Sequence, residues 1–239
     1  MKQPKDFIVF PLDVPAYDVA MNYVERLREC VGLFKVGLEL FISQGPGIIK
    51  SIRDAGGGGI FLDLKLHDIP ATMRRAFLAA SAYGPEFVTV HCEEGAESLK
   101  SVVQDNPGGT KILAVTVLTS LKFENLAELG YAESFAEDPS ALVMLRARIA
   151  KAAGCDGVVC SGHEVKTIKK EVGAELITVV PGIRPAWSLV SQDDQERIVT
   201  PEVAVKNGAD YVVVGRPIRD ARDPADAAKR VADEILSAL

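Results

Sequence analysis

Several things are scarce in this sequence, and each scarcity removes a class of protein. The chain has four cysteines, Cys30, Cys92, Cys155 and Cys160, and none stands at a paired metal-ligand spacing. Cys155 and Cys160 flank the apolar run Gly157-Val158-Val159, where buried free thiols are ordinary, so a reducing, cytoplasmic compartment is expected. Basic residues are outnumbered, 27 Lys and Arg against 33 Asp and Glu, and the formal charge of −6 carries no basic footprint for nucleic acid. No apolar stretch approaches the roughly 18 residues of a membrane span. The start, Met1-Lys2-Gln3-Pro4-Lys5-Asp6, is not followed by an apolar segment long enough for a secretory leader. Neither nucleic acid nor membrane is an expected partner. Aromatics make up only 6%, while small and branched residues abound, which suits strands and helices packed closely together.

What is present is a hydrophobic fraction of 48% in 239 residues. A compact body of this size buries roughly 70–75% of its unfolded surface, so a large core can be filled. Short apolar runs recur along the whole chain: Phe7–Leu12, Leu33–Val36, Ile60–Leu64, Phe87–His91, Ile112–Leu118, Gly157–Cys160, Leu176–Val180 and Tyr211–Val214. Most are rich in Val, Ile or Phe, as strands covered on both faces require. Helical patterns fill the gaps. Val19, Tyr23, Leu27 and Cys30 predict one buried stripe, and Ala141, Leu145, Arg148 and Ile149 a helix opened by Asp138-Pro139. A last helix is capped by Asp223, has Pro224 in its first turn, and presents Val231, Ile235 and Leu239. An extra helix is expected over Phe123–Leu129.

Alternating strands and helices also build doubly wound sheets. The turn after the first strand reads Leu12-Asp13-Val14-Pro15, however, not the glycine-rich dinucleotide fingerprint. The run Gly56-Gly57-Gly58-Gly59 precedes the third strand and reads as a flexible turn from helix to strand rather than a phosphate cradle. Eight units in this length predict closure, giving the fold class α/β, a (β/α)8 TIM barrel, as a single catalytic domain over 1–239.

In such a barrel the catalytic face lies where strands end. The polar residues there are Asp13, Lys35, Asp63, Lys65, His91, Thr119, Arg184 and Arg216. Asp63-Leu64-Lys65 is the most specific signal, because period two sends both charged side chains to one side, straight after the apolar Ile60-Phe61-Leu62. Buried ions cost several kcal/mol, of order, unless paired, and Asp13 and Lys35 could complete an alternating array. A purely structural ion network is the plainer alternative. Asp68 follows just before Ile69-Pro70, and orienting this loop is the plain role for His67.

Pro181-Gly182-Ile183-Arg184 and Val214-Gly215-Arg216-Pro217 end the last two strands. Glycine lets backbone N–H groups approach an anion and arginine offers a planar fork, so the pair predicts phosphate binding. A nitrogen–oxygen metal site from His67, His91, Asp63 and Glu93 is conceivable, but Lys65 would place a competing cation in its midst, and no metal is expected. Cys92 adjoins His91 in sequence, yet adjacent strand residues point apart, which argues against a nucleophile–base pair.

Taken together, Leu12-Asp13, Phe34-Lys35-Val36-Gly37, Asp63-Leu64-Lys65-Leu66-His67-Asp68-Ile69-Pro70, Val117-Leu118-Thr119-Ser120, Pro181-Gly182-Ile183-Arg184, Asp194-Gln195 and Val214-Gly215-Arg216 resemble the orotidine 5′-phosphate decarboxylase family, which catalyses the last step of pyrimidine nucleotide synthesis. The segments run in the family's order from first strand to last. Leu66 and Ala71 stand where a Phe and an Asn are frequent. The resemblance implies cofactor-free decarboxylation of orotidine 5′-monophosphate, with Lys65 as proton donor and Asp63 beside the departing carboxylate. It implies that Asp13 and Lys35 hold ribose hydroxyls, that Thr119 meets the pyrimidine, and that Pro181, Arg184, Gln195, Gly215 and Arg216 surround the phosphate. It further implies a homodimer in which Asp68 enters the neighbouring subunit's site, with Ile69 and Thr72 lining the shared region.

Two other readings remain. One is a magnesium-dependent sugar-phosphate enzyme, a 3-keto-L-gulonate 6-phosphate decarboxylase or hexulose-phosphate synthase. That group carries an acidic residue near the end of strand two, where this chain has Lys35. The other is a catalytically silent nucleotide binder, for which a lysine held between carboxylates has no use.

Overall fold

Each apolar run becomes a strand, and the ring they form is closed. In the computed structural model, which describes residues 2–121, 123–188 and 198–239, the strands are β1 (Ile8–Pro11), β2 (Leu33–Gly37), β3 (Gly59–Leu66), β4 (Phe87–His91), β5 (Lys111–Val115), β6 (Gly157–Val159), β7 (Ile177–Val180) and β8 (Tyr211–Val213). They pair in parallel and in chain order, and β8 returns to β1 through Ile8 opposite Val212. Helices connect them, so the chain is the (β/α)8 barrel that its alternation predicts. No described helix is long and apolar enough to cross a membrane.

Alternation along the strands divides two cores. Val9, Leu33, Phe61, Phe87, Leu113 and Val179 point inward and fill the barrel, while Ile8, Phe10, Phe34, Ile60, Leu62, Val88 and their neighbours meet the helices. Inside, Phe87 packs edge-on against Phe61 at 5.9 Å between centroids and against Tyr211 at 5.2 Å. Each buried Phe contributes about 1.5–3 kcal/mol, so the barrel floor is solid and any ligand must lie above it.

The face opposite the strand ends is built for stability. Asp156, just before β6, accepts the N–H of Ile112 near the start of β5 at 2.8 Å. Asp210, just before β8, does the same for Thr178 of β7 at 2.8 Å, and Glu86, just before β4, for Ile60 of β3. Three entering strands thus have an amide satisfied by a carboxylate from the next connection. The glycine run turns at this face: Gly56 has φ +77, and a Cβ on Gly57 would lie 2.6 Å from the Ile52 carbonyl oxygen. It is the turn from helix to strand that the sequence predicts, but a tightly packed one rather than a flexible one.

The helices exist where expected, but two present faces other than those read from the sequence. In the helix Tyr17–Leu27 the buried residues are Ala20, Val24 and Leu27, whereas Val19 is 45% exposed and Cys30 lies beyond the helix. In Pro139–Ala153, capped by Asp138 through the Ser140 N–H at 3.0 Å, the buried face includes Leu142, Val143, Arg146, Ala147 and Ala150. Leu145 and Arg148 face solvent instead. The last helix, Pro224–Leu236, buries Val231 and Ile235 and is capped by Asp223 through the Ala225 N–H at 3.0 Å; Leu239 lies past its end and is exposed. Short helices at Phe123–Glu128 and Glu133–Glu137 occupy the long connection after β5.

Candidate active site

The floor of aromatic and branched side chains ends below the C-terminal rim of the strands, leaving a cavity of about 490 Å³. That volume lies within the range of small-molecule sites. Its wall contains Asp13, Lys35, Asp63, Lys65, Thr119, Pro181, Arg184, Gly215 and Arg216, all expected from the sequence, together with Pro11, Phe61, Val115, Val117, Leu118, Val159 and Val213.

On one side stands an unbroken chain of charges. Asp13 Oδ1 accepts from Lys35 Nζ at 2.9 Å, Lys35 Nζ lies 3.6 Å from Asp63 Oδ2, and the same Oδ2 accepts from Lys65 Nζ at 2.8 Å. Lys35 and Asp63 are buried, each 8% exposed. Burial pushes the Asp63 carboxyl up, but the Lys35 and Lys65 ammonium charges and the hydrogen bonds from Lys65 and Thr89 outweigh it and hold the group below its ordinary 3.8. Asp63 is therefore an anion at neutral pH, clamped between two cations. The remaining Asp63 oxygen, Oδ1, accepts from the Thr89 hydroxyl at 2.9 Å.

Regular period-two geometry does not deliver this arrangement. Leu62 pairs with Val88 but Leu66 pairs with Val90, so β3 bulges between them. Within the bulge Lys65 has φ +48, unique among the described non-glycine residues. Asp63 and Lys65 do reach the same cavity, but through a distorted strand rather than a flat one.

The arginines follow the last two strands. Gly215 caps the short helix Arg216–Arg219, and Arg184 follows β7 with only 6% exposure. Arg219 also lines the cavity and was not expected from sequence; its place one helical turn beyond Arg216 was the available signal. Gly37 was missed as well. A Cβ there would come within 3.0 Å of Lys35 Nζ and 3.1 Å of Asp13 Oδ1, so only glycine lets that ion pair close without a shift.

Asp68, Ile69 and Thr72 are not on the cavity wall of this single chain. Asp68 is exposed on the loop after β3, where its Oδ1 accepts the Ile69 N–H at 2.7 Å, and Ile69 is 66% exposed. Gln195 lies outside the described residues. Trp187 stacks under the Arg230 guanidinium at 4.1 Å.

Of the conceivable metal ligands, His67, His91 and Glu93 do gather, with potential donor atoms within 4.8 Å of one another, whereas Asp63 is committed to the lysines. Two of its members are engaged by residues outside the cluster: His67 contacts Glu94, and Glu93 accepts from the buried Arg146 at 3.1 Å. Burial, against the opposing pull of Glu93, holds the His91 imidazole below its ordinary 6.5. The Cys92 thiol is pushed up to about 12 by burial, which leaves it inert as a nucleophile.

A closed barrel with an acid–lysine chain and arginines at its strand ends defines a (β/α)8-barrel enzyme for an anionic small molecule. The chain belongs to the Orotidine 5′-phosphate decarboxylase / HUMPS family, whose pattern it matches over residues 6–231. An orotidine 5′-phosphate decarboxylase of Desulfosudis oleivorans is 49% identical, across 100% of this chain and 96% of the relative. Among solved structures, an orotidine 5′-phosphate decarboxylase from Lactobacillus acidophilus superposes with a TM-score of 0.81 at 34% identity, covering 95% of this chain and 98% of that one. One from Pyrococcus horikoshii gives a TM-score of 0.75 at 26% identity, covering 96% and 99%.

Proposed function

We propose that this chain converts orotidine 5′-phosphate to uridine 5′-phosphate and carbon dioxide, without a cofactor. The observation that carries the reading is Asp63, held ionised and buried between Lys35 and Lys65 on a cavity that Arg184 and Arg216 also line. A site meant only to bind a nucleotide gains nothing from that arrangement, because taking ions out of water is costly even when they are paired. The family also embraces sugar-phosphate enzymes; Lys35 on β2, already engaged with two carboxylates, favours the nucleotide substrate over a site for a divalent cation.

The phosphate anchors against Arg184, Arg216 and the Gly215 backbone, with Pro181 and Gln195 completing its surroundings. Asp13 and Lys35 take the ribose hydroxyls, and Thr119 meets the base. This directs the C6 carboxylate toward Asp63 and Lys65. The C6–carboxylate bond breaks heterolytically, its electron pair stays on C6, and neutral carbon dioxide departs. The Lys65 ammonium stabilises the developing carbanion, then transfers a proton to C6 and is left as an amine that regains its proton from solvent. Asp63 repels the substrate carboxylate and is relieved when that charge leaves, while also keeping Lys65 cationic beforehand.

The exposed Asp68 and Ile69, with the half-buried Thr72 just inside the following helix, fit a homodimer in which each subunit lends this segment to the other's cavity. Cys92 and Cys155, buried as thiols, support a cytoplasmic location. The reading is tested by incubating purified protein with orotidine 5′-phosphate and a chelator, following ultraviolet absorbance and identifying the product. Formation of uridine 5′-phosphate is expected. Binding without loss of the carboxylate, or a requirement for magnesium and a sugar phosphate, overturns it.

A further inference from the structure

The distorted stretch of β3 has a single opposing residue, Thr89 on β4. Leu62 and Leu66 pair with Val88 and Val90, so Asp63, Leu64 and Lys65 together face Thr89 alone. Three residues opposite one cannot keep a regular ladder, and the orphaned backbone groups need another partner. Thr89, fully buried at 0% exposure, supplies it with its side chain. Its Oγ1 accepts the Lys65 backbone N–H at 2.8 Å and donates its own proton to Asp63 Oδ1 at 2.9 Å. One hydroxyl thus ties the backbone of the lysine to the carboxylate that holds the same lysine's ammonium.

The consequences are specific. Asp63 uses Oδ1 for Thr89 and Oδ2 for Lys65 and Lys35, so the carboxylate cannot rotate without losing a charged hydrogen bond. Lys65 adopts φ +48, a left-handed conformation that costs a non-glycine residue on the order of 1–3 kcal/mol and persists only where its surroundings enforce it. The bond from its N–H to Thr89 is such an enforcement. We propose that Thr89 is a positioning residue for decarboxylation, acting through Lys65 and Asp63 rather than on the substrate. The inference rests on the reading that Lys65 delivers the proton.

The charged groups facing Asp63 are Lys35 from β2 and Lys65 from its own strand, with Asp13 behind Lys35, and His91 from β4 near Lys65. Of the hydrogen bonds holding Asp63 ionised, the one from Thr89 is the only one from an uncharged group. Its removal raises the pH at which Asp63 takes a proton.

The test compares Thr89→Val, which keeps the shape and deletes both bonds, with Thr89→Ser, which keeps both. Thr89→Val is expected to lower kcat by about 10–100-fold, the scale of a lost hydrogen bond to a charged group, with KM changing far less. The acid limb of its kcat–pH profile moves upward, and Thr89→Ser restores both the rate and the limb. A merely structural role would lower stability without moving the limb. If Thr89→Val does not fold, Thr89→Cys, a weak donor of similar size, is read the same way. Native kcat and a native acid limb in the folded variant overturn the proposal. Lys65→Ala, assayed alongside, separates the two failures: full activity there sinks the proton-donor reading itself, whereas a dead Lys65→Ala beside an unaffected Thr89 variant sinks only the role of Thr89.

Discussion

Lys65 and Arg216 line the cavity from different elements, and their substitutions should fail in different ways. Lys65 is proposed to act only as charge develops at C6, so Lys65→Ala should lose about 10³-fold or more in kcat while the substrate still binds. Arg216 is proposed to hold the phosphate in ground state and transition state alike, so Arg216→Ala should raise KM and lower kcat together, because remote binding energy also orients C6 for reaction. Steady-state kinetics of the two variants, followed by ultraviolet absorbance, make the distinction. Near-normal turnover by Lys65→Ala contradicts its assignment. Asp63 gives a second prediction at this scale, in stability rather than rate. Its folded carboxyl lies below the ordinary 3.8, so the unfolded chain binds the proton more readily. The stability it contributes is complete above that ordinary value and fades as pH falls through the lower folded one. Chemical denaturation of the native chain and Asp63→Asn should therefore show a gap that is widest near neutrality and narrows in acid; a gap that widens in acid means that Asp63 is not held as an anion.

At the scale of elements, the two ends of the barrel separate stability from chemistry. Asp156 satisfies the Ile112 N–H on the face remote from the cavity. Asp156→Ala should lower the unfolding free energy by about 1–3 kcal/mol through the unsatisfied amide and leave KM unchanged, a combination that thermal melts and kinetics can read together. A large change in KM would mean that the two faces are coupled. Strands at both ends were legible in the sequence because buried parallel strands are continuous apolar runs, and all eight runs became strands. Helix faces were harder to read. Val19 and Leu145 look like core residues by type, yet Ala20, Ala147 and Ala150 are the ones pressed into the core, since small side chains let helices approach closely. The site followed the same division. Its charges stood out because a strand end should not carry them, and nine of the expected residues share one cavity wall. Thr89 was hidden because a threonine in a β-branched run is what any strand contains, and its importance arises only from a shift in register with a partner strand.

At the scale of the whole molecule, the net charge of −6 sits oddly with a substrate bearing a phosphate and a carboxylate, unless the positive groups are concentrated. They are: Lys35, Lys65, Arg184, Arg216 and Arg219 all face one cavity, so an acidic exterior can coexist with a local attraction for anions. The loop carrying Asp68 is the exception, for it points its carboxylate and the apolar Ile69 away from the cavity of its own chain. An exposed isoleucine beside an exposed acid is ordinary on a free surface, but both gain a use if a second copy covers them. The proposed exchange of this loop has a strict consequence for mixtures. In a hybrid of Lys65→Ala and Asp68→Asn chains, both lesions fall in one of the two sites and the other site is assembled entirely from native residues. Each variant alone should be nearly inactive, yet equal amounts mixed under conditions that let subunits exchange should recover about a quarter of native activity, since half the dimers are hybrids with one sound site each. If Asp68 served its own chain's cavity instead, both sites of every hybrid would carry one lesion and mixing would restore nothing, so the recovered rate decides between the two assemblies without a structure of either.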